Sequence, residues 1–287
     1  MSVPPRAELP AGVEPLRITT TRGELAALRA GDPRAEAVLL VPGFTGSKED
    51  FLPILAPLAE AGLFVTAIDQ RGQFESPGTG QWDDYDLAGF TADLVDVIAD
   101  LAGRVHLVGH SFGGVVTREA FLARPESVAT VTLMDSGPGA LPESRWPALR
   151  ALIALVPHAT MDQIWQAKLE LDRQAGAPPL PADVAEFLRA RWVANDGWSM
   201  AGIARILMSA PDRTDALAAA LSEHDAAAMV MYGEWDETAW HIDDQVTMGR
   251  RLGAHVVSIP GAAHSPAVEN PSVTATELIG FVTRAGV

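Results

Sequence analysis

The 287-residue sequence contains no cysteine, which excludes disulfide bonds, thiol nucleophiles and cysteine-ligated zinc. Positive charge is also scarce, because 21 lysine and arginine residues stand against 37 acidic ones, for a formal net charge of −16. A nucleic-acid-binding surface needs clustered basic residues to contact phosphates, so DNA and RNA are not expected as partners. We expect the acidic balance to serve solubility.

Long apolar runs are missing as well. Runs such as residues 151–156 are far shorter than the roughly 20 residues that a membrane-spanning helix needs. Residues 1–8 do not show the basic segment followed by an apolar one that marks a secretory signal. The sequence therefore predicts a cytoplasmic protein without a membrane span. Hydrophobic residues make up 48% of the chain, enough for a sizeable core.

Apolar segments of strand length alternate with helical patterns along much of the chain. Strands are predicted at residues 37–41, 64–68, 105–108, 128–134, 228–232 and 255–259, after an opening hairpin formed by residues 16–20 and 24–30. Helices are predicted at residues 51–61, 90–101, 112–123, 241–252 and 273–283. This alternation predicts a mostly parallel, eight-stranded sheet with helices on both faces.

The alternation stops after residue 138, and no strand pattern returns until near residue 228. Prolines punctuate helical patterns at residues 145–156, 161–175 and 182–194. We predict a core formed by residues 1–138 and 212–287, with a helical cap inserted at residues 139–211. The cap holds four tryptophans, which fill its own core or form an apolar roof over a substrate: Trp146, Trp165, Trp192 and Trp198.

Ser111 lies in the segment that is most informative about function. Gly109-His110-Ser111-Phe112-Gly113 matches G-x-S-x-G, between a predicted strand and a predicted helix. This context is that of a nucleophile elbow, a sharp turn that exposes the serine hydroxyl above the sheet. His110 occupies the variable position of the motif, and we expect its side chain to point elsewhere. Ser111 is the candidate nucleophile.

A serine nucleophile needs a base and a third group that orients the base. His264 follows the last predicted strand in a Gly/Pro-containing loop, which makes it the candidate base. Asp236 follows the strand at residues 228–232 and completes the chain order Ser, Asp, His. Asp135, at the end of another strand, is the main alternative acid. Two further carboxylates lie beside Asp236: Glu234 and Glu237.

These segments together resemble the α/β-hydrolase family, and the resemblance extends over nearly the whole chain apart from the cap. Residues 38–46 resemble the family's oxyanion loop, with Pro42 where the family usually has histidine. The resemblance implies that the backbone N–H groups of Phe44 and Phe112 form the oxyanion hole. Residues 69–76 resemble the family's D-x-R-G-x-G-x-S segment, with Phe74 at the second glycine, and we interpret them as a structural turn.

The family resemblance implies a serine hydrolase that cleaves a carboxylic ester or related acyl compound, with catalytic residues Ser111, Asp236 and His264. It implies no cofactor and no metal, and an apolar small-molecule substrate. The same three residues could serve carbon–carbon bond, lactone, thioester or N-terminal peptide hydrolysis. A nucleophilic aspartate would indicate epoxide hydrolase or dehalogenase chemistry, and Ser111 argues against both. The alternative of another class is a non-catalytic ligand-binding protein on the same fold.

Overall fold

A central sheet of eight strands organises the molecule, for which a computed structural model describes residues 9–177 and 179–285. The strands are β1 (Val13–Thr20), β2 (Gly23–Ala30), β3 (Ala37–Val41), β4 (Phe64–Ile68), β5 (Val105–His110), β6 (Val128–Met134), β7 (Ala227–Gly233) and β8 (His255–Ile259). Their spatial order is β1-β2-β4-β3-β5-β6-β7-β8. The first two pairings, β1–β2 and β2–β4, are antiparallel, and all the others are parallel.

Helices follow most of the parallel strands. They are α1 (Leu52–Glu60), α2 (Leu87–Asp100), α3 (Phe112–Ala123), α4 (Trp146–Leu155), α5 (Met161–Gln174), α6 (Ala182–Ala194), α7 (Gly197–Ser209), α8 (Thr214–Glu223), α9 (Ile242–Leu252), α10 (Pro266–Glu269) and α11 (Pro271–Ala285). None of the described helices is long and apolar enough to cross a membrane.

Two apolar clusters cover the two faces of the sheet. Leu39 and Val41 of β3 point into one cluster, which also contains side chains of α2, α3, α8 and α9. Val38 and Leu40 point to the opposite face, where α1 and α11 pack. Successive residues of a strand face opposite sides, so a sheet buried on both faces requires the continuous apolar strands seen in the sequence.

Helices α4 to α7 stand between β6 and α8, and we call them the cap. The cap is joined to the core by a buried ion pair, in which Arg191 Nη1 of α6 lies 2.6 Å from Asp50 Oδ1. Burying both charges is tolerated because they neutralise each other and form hydrogen bonds. Asp50 also accepts a hydrogen bond from the Ser47 N–H at 3.3 Å, so the ion pair ends on the loop that follows β3.

The predicted architecture is confirmed, with differences at the ends of elements. The hairpin strands and β5 are longer than predicted. Helix α2 begins three residues earlier than predicted, at Leu87, because the side chain of the N-cap residue Asp86 accepts a hydrogen bond from the Gly89 N–H. Helix α7 had not been assigned from the sequence. Its N-cap Asp196 accepts a hydrogen bond from the Trp198 N–H at 2.9 Å, a start signal that could have been recognised.

Candidate active site

Ser111 occupies the turn between β5 and α3 with φ 53° and ψ −117°, a backbone conformation that non-glycine residues rarely adopt. Close packing of neighbouring chain segments maintains it. A Cβ atom on Gly113 would overlap the carbonyl oxygen of Val41, and one on Gly114 would overlap the side chain of Ser136. Glycine is therefore required at these two positions because a larger side chain would clash. The residue with the strained backbone conformation is Ser111 itself.

The structure brings Ser111, His264 and Asp236 together in one hydrogen-bonded row. Ser111 Oγ lies 3.1 Å from His264 Nε2. On the other side of the ring, His264 Nδ1 lies 3.0 Å from both carboxylate oxygens of Asp236. A carboxylate only accepts, so Nδ1 carries the hydrogen and Nε2 is free to accept from the serine hydroxyl.

Asp236 is fully buried and held by groups other than the histidine. The backbone N–H of Thr238 donates to Oδ1 at 3.0 Å, and Gln245 Nε2 donates to Oδ2 at 3.3 Å. Burial alone would raise the pKa of Asp236, but the hydrogen bond and charge of His264 outweigh it and leave the pKa below its ordinary value. Asp236 is therefore ionised at neutral pH, in the form that can stabilise a positive imidazole.

The two predicted oxyanion donors belong to chain segments next to Ser111. Phe112 is the first residue of α3, so its N–H lies at the N-terminus of a helix, where backbone N–H groups are not used within the helix. Phe44 belongs to the loop after β3, which packs against the elbow, since a Cβ on Gly43 would lie 3.1 Å from Ser111 Cβ. This arrangement suits stabilisation of negative charge beside the serine.

A cavity of about 560 Å³ contains Ser111 and His264 in its wall. Each cap helix contributes to this wall, and the contributions are mainly apolar. The large apolar side chains that line it are Phe44, Leu141, Leu149, Leu152, Leu155, Ile164, Leu171, Trp192 and Leu207. Charged groups are few, namely Arg145 and the paired Lys168 and Asp172. The cavity therefore suits a largely apolar ligand.

Residues 38–277 match the sequence model of the alpha/beta hydrolase family. The chain belongs to this family. The fold agrees, since a thermophilic esterase from Thermogutta terrifontis superimposes with a TM-score of 0.75 at 21% identity, over 96% of this chain and 100% of that one. A hydrolase from Pseudomonas aeruginosa gives a TM-score of 0.74 at 23% identity, over 95% of this chain and 99% of that one.

Two of the curated relatives match with higher identity over shorter segments. The chain is 37% identical to epoxide hydrolase A of Mycobacterium tuberculosis over 137 residues, which is 47% of this chain and 42% of that protein. It is 30% identical to a human serine hydrolase-like protein over 128 residues, 44% of this chain and 63% of the human protein. The chain thus spans less than two thirds of the length of either relative.

Asp135, the alternative acid, is also buried in this hydrolase-family site. Its Oδ1 accepts from the Gly233 N–H at 2.9 Å, and its carboxyl is close enough to that of Asp236 for the two to interact. Burial, followed by the negative charge of Asp236, raises the pKa of Asp135 well above its ordinary value. Asp236, not Asp135, is hydrogen-bonded to the His264 ring in the described part of the chain. Of the other acids considered, Glu234 accepts from the Gly261 N–H at 2.9 Å, and neither it nor Glu237 has a hydrogen bond to His264 in the described part of the chain.

The expectation that His110 points elsewhere was wrong. Its ring lies 5.1 Å from that of His264, and it lines the same cavity. His110 Nε2 lies 2.6 Å from the backbone oxygen of His264, so Nε2 carries a hydrogen and donates. Burial, followed by the charge of His264, lowers the pKa of His110 to about 4. A neutral His110 therefore fixes the backbone of the loop that carries His264.

One group of side chains in the site has the composition of a metal site. Ligand atoms of His110, Asp135 and His264 all lie within 4.8 Å of one another. Both ring nitrogens of His264 already form hydrogen bonds, to Ser111 and to Asp236, and His110 Nε2 bonds the His264 carbonyl. These nitrogen atoms are thus engaged in hydrogen bonds with other groups, and the arrangement has the character of a hydrogen-bond network.

Residues 69–76 form the turn that their sequence predicted, and they connect several parts of the site. Asp69 Oδ1 accepts from the Lys48 N–H at 2.7 Å, and its Oδ2 pairs with Lys48 Nζ at 2.8 Å. Burial, followed by the charge of Glu49, raises the pKa of Asp69 to about 7, against the opposing effect of Lys48. Ser76 Oγ donates to the Asp69 carbonyl at 2.7 Å and closes the turn.

Proposed function

We propose that this protein is a serine hydrolase that cleaves a carboxylic ester or related acyl compound through an acyl-enzyme on Ser111. The observation that carries the proposal is the row of hydrogen bonds from Ser111 through His264 to the ionised Asp236, at the wall of a largely apolar cavity. A serine hydroxyl is a weak nucleophile unless a base accepts its proton, and the 3.1 Å distance between Ser111 Oγ and His264 Nε2 supports this role for His264.

The proposed cycle has two halves. His264 Nε2 takes the hydroxyl proton as Ser111 Oγ attacks the acyl carbon, and Asp236 stabilises the positive imidazole. The N–H groups of Phe44 and Phe112 bind the oxyanion of the tetrahedral intermediate. His264 then gives its proton to the leaving oxygen, and water repeats the attack to release the acid. This cycle needs no cofactor.

The elbow residue separates this proposal from the function of one relative. Epoxide hydrolase A of Mycobacterium tuberculosis matches part of the chain, but epoxide opening in this family is expected to use a nucleophilic aspartate. The elbow here carries Ser111, which favours acyl transfer. The apolar wall contributed by the cap favours an ester with an apolar acyl or alcohol group.

The experiment that tests the proposal combines a probe with a substrate series. A fluorophosphonate should label the wild-type protein, but not Ser111→Ala. Hydrolysis of p-nitrophenyl esters of increasing chain length should then be measured beside lactones, thioesters and diketones. Preference for an apolar ester supports the proposal, whereas preference for a diketone would assign the same site to carbon–carbon bond cleavage. A folded wild-type protein that neither labels nor turns over any of these compounds would indicate a binding protein.

A further inference from the structure

Two buried glutamine side chains contact the loop that carries the proposed oxyanion donor Phe44. Gln70 Nε2 donates to the Pro42 carbonyl at 2.8 Å. Gln73 Nε2 donates to the Gly43 carbonyl at 2.8 Å and to the Phe44 carbonyl at 3.2 Å. Three consecutive carbonyl groups of the loop are therefore held by two side-chain amides.

The glutamines are themselves fixed. Gln73 is 0% exposed and Gln70 is 3% exposed. The Oε1 atom of Gln73 accepts from the Gln70 N–H at 3.1 Å, and the Gln73 N–H donates to the Gln70 carbonyl at 2.9 Å. The Gln73 amide thus uses its acceptor within its own turn and its donors on the neighbouring loop. A side chain bonded at both ends of its amide has little freedom to move.

The contact to Gly43 has a specific consequence because of peptide geometry. The Gly43 carbonyl and the Phe44 N–H belong to the same planar peptide unit, on which they point in opposite directions. Fixing the direction of this carbonyl therefore fixes the direction of the N–H. A hydrogen bond accepted by the carbonyl also polarises the unit and strengthens the N–H as a donor.

We propose that Gln73 is a positioning residue for the oxyanion hole, aiming the Phe44 N–H at the developing oxyanion, with Gln70 in a supporting role. This inference rests on the proposed acyl-transfer function. Gln70 bonds the carbonyl of the preceding peptide unit, which does not contain the Phe44 N–H. Its contribution to positioning is therefore smaller than that of Gln73.

A purely structural role for Gln73 would predict a different result, and Ser199 of α7 offers a matched control. Ser199 Oγ donates to the Arg71 carbonyl at 2.8 Å, within the same 69–76 turn, and Ser199 is 0% exposed. Ser199→Ala removes a buried hydrogen bond to this turn without touching Pro42, Gly43 or Phe44. It should lower thermal stability while leaving turnover unchanged.

The test is Gln73→Met, which keeps the length of the side chain and removes both amide functions. Turnover should fall about tenfold, less than the 10²–10³-fold loss that follows removal of an oxyanion donor, while KM stays nearly constant. Affinity for a trifluoromethyl ketone, whose serine adduct carries an oxyanion, should fall by the same factor as kcat/KM. Gln70→Met should cause a smaller loss. Should Gln73→Met not fold, Gln73→Glu keeps the acceptor for Gln70 and, when ionised, cannot donate to Gly43 or Phe44.

Wild-type kcat in a folded Gln73 variant would overturn the inference. The inference would also be overturned if activity fell in proportion to thermal stability, and to the same extent, in the Gln73 and Ser199 variants. A second readout does not depend on turnover, because hydrogen exchange of the Phe44 N–H, followed by NMR, should become faster in Gln73→Met and stay unchanged in Ser199→Ala. If the wild-type protein cleaves no acyl compound, the proposed function fails, and unchanged exchange at Phe44 would overturn the positioning role separately.

Discussion

Asp135→Asn should stabilise the folded protein at neutral pH. The Asp135 carboxyl is completely buried next to Asp236, and these surroundings raise its pKa well above 3.8. Asparagine cannot ionise, keeps an acceptor for the Gly233 N–H, and tolerates the positive φ of 46° at this position. The substitution therefore removes the cost of holding a carboxyl proton without removing the contact.

The size of the effect follows from proton linkage. A carboxyl whose pKa is raised on folding stabilises the protein fully below its unfolded pKa of 3.8, and this stability is lost as pH rises toward the folded pKa. In that window the wild-type protein loses about 1.4 kcal/mol per pH unit through Asp135, and the variant does not. The advantage of Asp135→Asn should therefore grow with each pH unit above 3.8 until the pKa of Asp135 in the folded protein is passed.

Urea unfolding of both proteins at pH 5, 6 and 7 measures this difference directly. Other titrating groups cancel in the comparison, because they are shared by the two proteins. Asp83→Asn, at an exposed carboxylate, is the matched control and should give a difference that does not change with pH. A constant difference for Asp135→Asn across the same range would show that Asp135 is ionised in the folded state, and would refute the reasoning.

Four further outcomes are expected. Ser111→Ala should abolish fluorophosphonate labelling and reduce ester turnover on the order of a million-fold, measured by p-nitrophenol release. Asp236→Asn should lower kcat by about four orders of magnitude, because the imidazole loses its orienting anion, whereas Asp135→Asn should change kcat far less. Trp192→Ala should broaden the accepted ester chain lengths or raise KM, since Trp192 lines the cavity, whereas Trp198→Ala should not. Incubation with EDTA should leave the turnover of esters unchanged.

Each of these outcomes can fail in a recognisable way. Retained turnover in folded Ser111→Ala would remove the nucleophile assignment. If kcat falls more in Asp135→Asn than in Asp236→Asn, then Asp135 is the acid that orients His264. Unchanged chain-length selectivity in Trp192→Ala would show that other residues of the cavity determine specificity. Loss of activity with EDTA would indicate a metal ion, for which His110, Asp135 and His264 are the candidate ligands.

The sheet and the serine–histidine–aspartate row could be predicted because both depend on local sequence. Buried parallel strands require mostly apolar residues, so β3 and β4 were predicted with the observed ends. The elbow glycines are needed wherever this turn occurs, and Ser111 could be identified from them. Asp236 and His264 follow strands β7 and β8, whose carboxyl ends meet at the same edge of the sheet.

The surroundings of the site could not be predicted, because they depend on contacts between distant segments. His110 was expected to point elsewhere, since nothing near it in the sequence indicates a carbonyl acceptor 154 positions later. Gln70 and Gln73 reach a loop about 30 residues earlier in the chain, and neither residue type signals that contact. For the same reason, the sequence could not show which of the four cap tryptophans faces the cavity. Of the four, only Trp192 lines it.

The charge states of these neighbours bear directly on the proposed chemistry. His264 has three titratable neighbours, of which Asp236 has a lowered pKa, Asp135 a raised pKa and His110 a lowered one. Asp236 is therefore ionised and His110 neutral at neutral pH, while the raised pKa of Asp135 favours its uncharged form. A positive His110 would oppose formation of the imidazolium during acylation, and an ionised Asp135 would repel Asp236 and disturb its two contacts with His264 Nδ1. The burial that raises the pKa of Asp135 thus favours a site in which Asp236 is the anion aligned with the base.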